Sequence, residues 1–365
     1  MNALEEARLG IREADSELSR LFEKRMRLVE KVLDYKVRHG LPVLDAAQEA
    51  RVLAAHADEL QEPVLQEYYI LLLKKLMELS RAYQTRLMQG MKIAYCGVPG
   101  AFAHIAARRL FPEAETVPYP DFSLAYRACE NGEADATLLP VENSYAGDVG
   151  AVMDLAFAGH LHINAMAALD VTQHLLGIKG AKSQDIRTVV SHPQALAQCA
   201  AFIRERKLSE QEFGNTAAAA QYVAERQDPT LAAIASLETA QLYGLDVLEK
   251  HINTAAANTT RFAVFSRNQP GSAPAASPDD HFILAFTVRN EAGALAKILN
   301  IIGAHGFNMS CLHSRPVAGP LWNHYFFAEL EGNAHTENGQ DLLRQMETVC
   351  DRLRCLGSYK CLALS

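Results

Sequence analysis

Apolar residues in the first ninety positions recur with the three- and four-residue spacing of an amphipathic helix. Leu18, Leu21 and Val29 belong to a stripe that persists to about residue 38, where Gly40 and Pro42 end it. The pattern predicts three helices, over residues 3–38, from Asp45 onward, and from Pro63 to about residue 89. Ninety residues cannot cover so long a first helix, so we expect this all-α segment, residues 1–90, to dimerise.

From residue 91 to about 270, short apolar strands alternate with helices. The strands are predicted near 91–96, 136–139, 163–169, 188–190, 231–235 and 262–265. Such alternation favours parallel sheets, and this length suffices for two small α/β lobes. A site in such a fold lies in the cleft at the carboxyl ends of the strands.

Residues 271–278 are a linker by composition, rich in glycine, serine, alanine and proline. Strands are then predicted at 281–288, 309–313, 322–330 and 359–364, and helices at 293–304 and 340–353. This β-α-β-β-α-β order predicts a third, α+β ferredoxin-like domain over residues 280–365.

Composition and charge exclude several classes of protein. The chain has 365 residues, 49% of them hydrophobic, and a net charge of −8, which argues against nucleic-acid binding. No apolar run suggests a membrane span, and the acidic start suggests neither a signal nor a transit peptide. The seven cysteines are scattered without metal spacing, so we expect buried thiols, a cytoplasmic location and no metal or other cofactor.

Polar residues on the predicted helices share faces. Arg25 and Lys36 are three turns apart on one face, and Arg8 lies about a quarter turn away from Arg25. Arg8 could therefore serve a partner's pocket rather than its own. Two further sets follow helical spacing: Asp45 with Gln48 and Glu49, and Ser80 with Gln84.

These residues resemble the site of the small all-helical chorismate mutases. The resemblance implies that Arg8 and Arg25 hold the substrate carboxylates, with Arg8 crossing from the partner. It also implies that Lys36 and Gln84 donate to the ether oxygen, Asp45 and Glu49 orient the ring hydroxyl, and Ser80 belongs to the site. The pericyclic reaction needs such positioned donors and no nucleophile. Gln48 stands where the family usually has arginine, which leaves open a weak or inactive mutase.

Polar motifs follow the strands of the middle segment: Gly97–Gly100 with Phe102, residues 140–144 with Gly147, residues 191–194 with Cys199, and residues 258–262. As an ordered set they resemble prephenate dehydratase, which implies a two-lobed fold like that of periplasmic binding proteins. The implied roles are a hydroxyl donor to the leaving oxygen for Thr260 and a carboxylate ligand for Arg261. Asn143, Ser144 and Thr216 would line the pocket, with Phe262 behind it.

Three neighbouring positions modify that interpretation. Ala103 and Ala217 stand where the family commonly has hydroxyl residues, so the pocket is less polar. His192 could act as a general acid, but before Pro193 we favour a role in ordering its loop.

The last segment resembles the ACT regulatory domains of these dehydratases. The resemblance implies an effector site that binds phenylalanine between paired domains, with His313 in place of the usual glutamate. Its residues would be Gly293, Ala294, Leu295, Asn308, His313, Ser314, Arg315 and Pro316. A purely structural dimerisation module is the alternative.

Together these resemblances predict a homodimeric or homotetrameric enzyme. It would convert chorismate to prephenate and then to phenylpyruvate, with loss of carbon dioxide and water, under feedback by phenylalanine. A dehydratase that prefers arogenate and a non-catalytic ligand sensor are the alternatives.

Overall fold

The computed structural model describes residues 2–145, 147–253, 258–268, 280–316 and 324–364. It divides into two compact units, Met1–Met91 and Lys92–Ser365. The predicted linker at 271–278 and the predicted strand start at Trp322 lie outside the described residues. No helix of the described part is both long and apolar enough to cross a membrane.

The first unit consists of the three predicted helices, α1 (Ala3–Arg38), α2 (Ala46–Ala55) and α3 (Pro63–Gln89). The local sequence fixes where each begins. Asn2 and Glu5 form a reciprocal cap on α1, Asp45 caps α2 through the backbone N–H of Gln48, and Pro63 opens α3.

The long helix α1 is poorly covered within one chain. Of its residues, all of which the structure describes, Leu33 alone is buried. Leu4, Ile11 and Leu21 are 58%, 60% and 61% exposed. A contiguous apolar stripe of this kind marks an interaction surface.

The described residues of the second unit form fifteen strands in two sheets. The strands are β1 (Lys92–Cys96), β2 (Glu115–Tyr119), β3 (Ala136–Asn143), β4 (Gly147–Asp148), β5 (His162–Asp170), β6 (His174–Gly177), β7 (Thr188–Ser191), β8 (Ser209–Glu212), β9 (Leu231–Ala235), β10 (Asp246–Glu249), β11 (Thr259–Ser266), β12 (Asp280–Thr287), β13 (Met309–Pro316), β14 (His324–Glu331) and β15 (Arg352–Leu364). The helices are α4 (Phe102–Leu110), α5 (Phe122–Asn131), α6 (Gly150–Ala158), α7 (Pro193–Gln198), α8 (Ala200–Arg206), α9 (Thr216–Arg226), α10 (Leu237–Tyr243), α11 (Ala294–Ala304) and α12 (Glu337–Glu347).

The larger sheet has the order β13-β14-β12-β15-β5-β11-β3-β1-β2, with β4 beside β3. The smaller has the order β10-β6-β9-β7-β8. Strands β1, β2 and β3 are parallel, as are β7, β8 and β9, whereas β11 runs antiparallel to both β3 and β5. The expectation of parallel sheets therefore holds for part of each sheet. We call the β1–β5 and β11 region the first lobe and the β6–β10 region the second lobe.

The C-terminal segment has the predicted β-α-β-β-α-β order and joins the larger sheet. Cys361–Leu364 of β15 pair in parallel with Met166–Leu169 of β5. The expectation of a helix over 340–353 is wrong at its end, because α12 stops at Glu347 and Arg352 already pairs with Thr287 of β12.

One hydrophobic core spans the first lobe and the C-terminal segment. Its fully buried members include Tyr126 and Phe265 from the lobe and Tyr325 and Leu356 from the C-terminal segment. The first lobe and the C-terminal segment are thus packed together as one body.

Gly357 provides a test of this junction. A Cβ built at Gly357 would lie 2.1 Å from the carbonyl oxygen of Ile163 in β5. We expect Gly357→Ala to destabilise the second unit by about 2 kcal/mol or more, since neither backbone can yield easily. The measurement is the thermal midpoint of the full chain.

Gly303→Ala is the matched control, because a Cβ at this helical glycine meets no described atom within 4 Å. Its midpoint should be unchanged or slightly higher, since alanine favours helix. Equal midpoints for the two variants would contradict the close packing of β15 on β5.

Candidate active sites

A cleft with a volume of about 190 Å³ opens between the two lobes. The first lobe contributes Asn143, Asn258 and Thr260, and the second contributes His192, Gln194, Gln198 and Thr216. Polar groups from separate strand ends therefore meet here, as the strand–helix alternation predicted.

Thr260 and Asn143 form the centre of the cleft. They are register partners on β11 and β3, and the Asn143 Nδ2 donates to Thr260 Oγ1 at 2.9 Å and to Asn258 Oδ1 at 2.8 Å. Gln194 Nε2 donates to Asn143 Oδ1 at 3.3 Å from the opposite lobe. Because Thr260 Oγ1 accepts from the amide, its own O–H can be donated to a ligand.

Of the two other predicted pocket residues, Thr216 lines the cleft and Ser144 does not. Thr216 is buried and lines the cleft at the start of α9, which Asn215 caps through the N–H of Ala218 at 2.7 Å. Ser144 is exposed, and its Oγ accepts the backbone N–H of Thr259 at 3.0 Å. Ser144 thus fixes the start of β11 and is absent from the described lining of the cleft.

The expectation that Arg261 binds a substrate carboxylate in this cleft is corrected. Side chains alternate along a strand, so Arg261 points away from Thr260. Its guanidinium donates to Glu329 at 2.6 and 2.9 Å and to Glu142 at 3.1 Å. Phe262, expected behind the pocket, is 1% exposed.

Gln173, Gln198 and Asn258 are buried polar residues of the cleft to which the sequence analysis assigned no substrate-binding role. Gln173 Oε1, Gln198 Oε1 and Asn258 Nδ2 have no hydrogen-bond partner among the described residues. Unpaired buried polar atoms are costly and uncommon, so they indicate a place where a ligand completes the network. Asn258 opens the motif before Thr260, whereas the two glutamines follow no recognisable signal.

The glycine loop and His192 set the shape of the cleft. The carbonyl of Gly100 accepts from Thr239 Oγ1 at 2.8 Å, so the second lobe holds this loop of the first lobe. His192 Nδ1 accepts the N–H of Gln194 at 3.2 Å and caps α7. Burial lowers the pKa of His192, so the imidazole stays neutral and performs the loop-ordering role that the sequence favoured.

The cleft differs from the expected pocket in its charge. Its described lining contains neither lysine nor arginine, and neither aspartate nor glutamate. Ala101 and Phe102 line it at the start of α4, which no described side chain caps, so backbone N–H groups there remain available to an anion.

On the helical unit the structure brings three predicted residues together. Arg25 donates to Ser80 Oγ and, at 3.3 Å, to the carbonyl of Leu76. Ser80 and Gln84 are buried one turn apart on α3, and Gln84 Oε1 has no partner among the described residues. Burial lowers the pKa of Arg25.

The remaining helical residues are more dispersed. Lys36 donates to the carbonyl of Val43 at 2.5 Å, Glu49 is ion-paired with Arg81, and Asp45 is the cap of α2. Gln48 is exposed and contributes its backbone N–H to that cap.

Arg8 is exposed and stands apart from this set. Seventeen residues separate it from Arg25, which is about 25 Å along the helix axis. Arg8 therefore cannot reach the Arg25 pocket of its own chain.

Among the described residues of one chain, the two predicted effector motifs line different cavities. Ala294 and Leu295 line a cavity of about 140 Å³ beside His324, and Gly293 precedes α11 with φ +80°. On β13, His313 Nδ1 lies 2.6 Å from Asp148, and Arg315 pairs with Asp154 at 2.9 Å. Ser314 and Pro316 are exposed, and Asn308 donates to Glu331 at 2.8 Å.

One cluster has the composition of a metal site. Among the described residues, ligand atoms of His281, Glu329 and Cys361 lie within 4.8 Å of one another. Both carboxylate oxygens of Glu329 already accept from Arg261. A fixed guanidinium beside these groups repels a cation, so the cluster fits an ion pair better than a metal ion.

Two family models match the chain. The model described as chorismate mutase type II matches residues 7–85, and the model described as prephenate dehydratase matches residues 93–270.

Curated relatives and solved structures show the same similarity. A bifunctional chorismate mutase/prephenate dehydratase from Neisseria gonorrhoeae is 31% identical over 94% of this chain and 93% of its own length. An Arabidopsis thaliana protein named arogenate dehydratase/prephenate dehydratase 2, chloroplastic, is 33% identical over 74% of this chain and 72% of its own. A prephenate dehydratase from Arthrobacter aurescens, solved in complex with L-Phe, has a TM-score of 0.68 and 29% identity, covering 74% of this chain and 90% of that one.

Proposed function

The chain belongs to the bifunctional chorismate mutase/prephenate dehydratase family, and we propose that its dehydratase site is the cleft around Thr260 and its mutase site the helical pocket around Arg25. The isomerase domain converts chorismate to prephenate, and the lyase domain converts prephenate to phenylpyruvate.

The hydrogen bond from Asn143 to Thr260 carries the dehydratase proposal. In this reaction the bond to the ring carboxylate breaks, its electrons make the ring aromatic, and the ring hydroxyl leaves. Departure of hydroxide is the difficult step, so a donor at that oxygen lowers the barrier. Thr260 supplies this donor, and the leaving oxygen departs as water once it takes a proton from solvent.

Neutral groups recognise the substrate carboxylates. The backbone N–H groups at the start of α4 and the unpartnered Asn258 Nδ2 are the donors that the cleft offers. The described lining has no carboxylate that would pair with the ammonium of arogenate. A buried ammonium without such a partner is costly, so this cleft favours prephenate.

The mutase site is completed by a second copy of the chain. Arg25 holds one substrate carboxylate and Gln84 donates to the ether oxygen, with Ser80 fixing Arg25. Arg8 of a partner subunit would bind the other carboxylate, and the exposed apolar stripe of α1 supports that assembly. Lys36, Asp45 and Glu49 would complete the pocket on substrate binding.

The C-terminal segment is an ACT domain that binds phenylalanine and lowers the dehydratase rate. Its β13-β14-β12-β15 order and its two motifs support this assignment, as does the phenylalanine complex of the Arthrobacter relative. Since its motifs lie apart in one chain, the effector site forms between paired domains.

The free, scattered cysteines support a cytoplasmic location.

Replacing Thr260 with valine tests the dehydratase site. Thr260→Val keeps the shape and removes the donor, so we expect a loss of about a hundredfold or more in phenylpyruvate formation from prephenate. Chorismate consumption should be unchanged, because the mutase is a separate unit. Thr259→Val is the control, since that hydroxyl binds Asp170. An active Thr260→Val variant would refute this assignment.

Mixing two inactive variants tests the shared mutase pocket. Arg8→Ala and Arg25→Ala should each abolish chorismate consumption, and Arg20→Ala, also exposed on α1, should not. In co-expressed mixtures, half of the dimers are mixed and one pocket in each is intact, so about a quarter of the activity should return. Failure to recover activity in confirmed mixed dimers would refute a pocket shared between Arg25 of one chain and Arg8 of its partner.

Phenylalanine added to the full chain tests the regulatory assignment. We expect it to lower the rate of phenylpyruvate formation from prephenate severalfold, with an equal concentration of alanine as control. Unchanged rates at saturating phenylalanine would leave a structural role for the C-terminal domain.

A further inference from the structure

Strand β11 presents two functional faces. Thr260 faces the cleft, where it pairs in register with Asn143 of β3. The next residue, Arg261, pairs in register with Glu142 and faces the C-terminal segment. Side chains of neighbouring strand residues point to opposite faces, so a force on Arg261 acts on the backbone that carries Thr260.

Glu329, on β14 of the C-terminal domain, binds the guanidinium of Arg261. Its two carboxylate oxygens accept from the two guanidinium nitrogens at 2.6 and 2.9 Å, and Tyr359 donates its hydroxyl to the same carboxylate at 2.7 Å. The Glu329 side chain is 8% exposed and that of Arg261 is 27% exposed. A planar, two-point pair of this kind fixes direction as well as distance.

Both members of this pair remain charged. Burial alone would raise the pKa of Glu329, but hydrogen bonds and charge from Arg261 lower it below its usual value. The hydrogen bond to Glu329 raises the pKa of Arg261. The contact is therefore a permanent ion pair at neutral pH.

A second contact of the C-terminal domain lies next to β3, the strand that pairs with β11. His313 of β13 lies 2.6 Å from Asp148 of β4, and Asp148 pairs in register with Glu142. Asn143, the next residue, pairs with Gly147 in the same short ladder. The C-terminal domain thus contacts side chains on β11, which carries Thr260, and on β4, which pairs with the segment of β3 that carries Asn143.

Packing alone does not immobilise Arg261. A cavity of about 40 Å³ adjoins it, with Glu142, Glu329 and His313 among its lining residues. That space is large enough for one or two waters, so packing does not fill it and the position of the guanidinium depends on its carboxylate partners.

We propose that Glu329 is a positioning residue for the dehydratase reaction: through Arg261 it fixes the segment of β11 that aims the Thr260 hydroxyl into the cleft. The C-terminal domain thereby contributes directly to the dehydratase rate, and the inference rests on the proposed role of Thr260. Arg261 acts from behind the site and does not contact the substrate.

The test measures kcat and KM for prephenate in the full-length chain. Four variants are compared with the wild type: Glu329→Gln, Arg261→Met, the double variant, and Glu347→Gln. Glu347 is an exposed carboxylate of the same domain and serves as the control. Thermal midpoints are recorded for every variant.

We expect Glu329→Gln and Arg261→Met each to lower kcat about tenfold or more, with KM changed less than about threefold. The double variant should be no slower than the slower single variant, because the two residues act as one unit. The control should match the wild type.

Two outcomes overturn the proposal. A wild-type kcat in folded Glu329→Gln removes the positioning role, and a raised KM with unchanged kcat in Arg261→Met makes Arg261 a substrate ligand. Neither outcome bears on the proposed role of Thr260, which the Thr260→Val variant tests separately.

Tyr359→Phe covers the case in which Glu329→Gln does not fold. It removes one hydroxyl donor to Glu329 and leaves the ion pair. We expect kcat to fall about two- to fivefold with KM unchanged. In that case an unchanged kcat in the folded Arg261→Met variant overturns the proposal, because the ion pair through which Glu329 acts is then absent.

Discussion

The alternation of side chains along β11 is the constraint on which the dehydratase half of this molecule depends. Thr260 reaches the cleft and Arg261 reaches the C-terminal domain because they are neighbours on one strand. A register slip of one residue would exchange the two side chains and place a guanidinium in the cleft. Pairing with β3 on one side and β5 on the other fixes that register.

The same sheet connects the C-terminal domain to the first lobe. Strand β15 continues the larger sheet into β5, and aromatic side chains of both regions share one core. Interiors packed this closely transmit a displacement rather than absorb it. Binding at the C-terminal domain therefore has a physical route to the dehydratase cleft.

The helical unit, by contrast, leaves much of its apolar surface exposed in one chain. Helix α1 has a single buried residue and several exposed leucines, so a large apolar surface is uncovered in one chain. Gln84 has a buried oxygen with no partner among the residues that the structure describes, and Arg8 lies too far along α1 to reach Arg25. The proposed assembly with a second copy would cover the exposed apolar surface and supply the second cation.

Periodicity and capping residues in the sequence determined the three N-terminal helices, most strands of the lobes and the β-α-β-β-α-β order. The ordered motifs determined the family and placed Thr260, Asn143 and Thr216 at one cleft. Short polar strands such as β8, Ser-Glu-Gln-Glu, carry no apolar signal and escaped prediction. Only the tertiary structure decided that Arg261 turns to Glu329, that Gln173 and Gln198 join the cleft, and that β15 pairs with β5. Those outcomes depend on which face and which neighbour a residue meets, and local sequence does not encode contacts between distant strands.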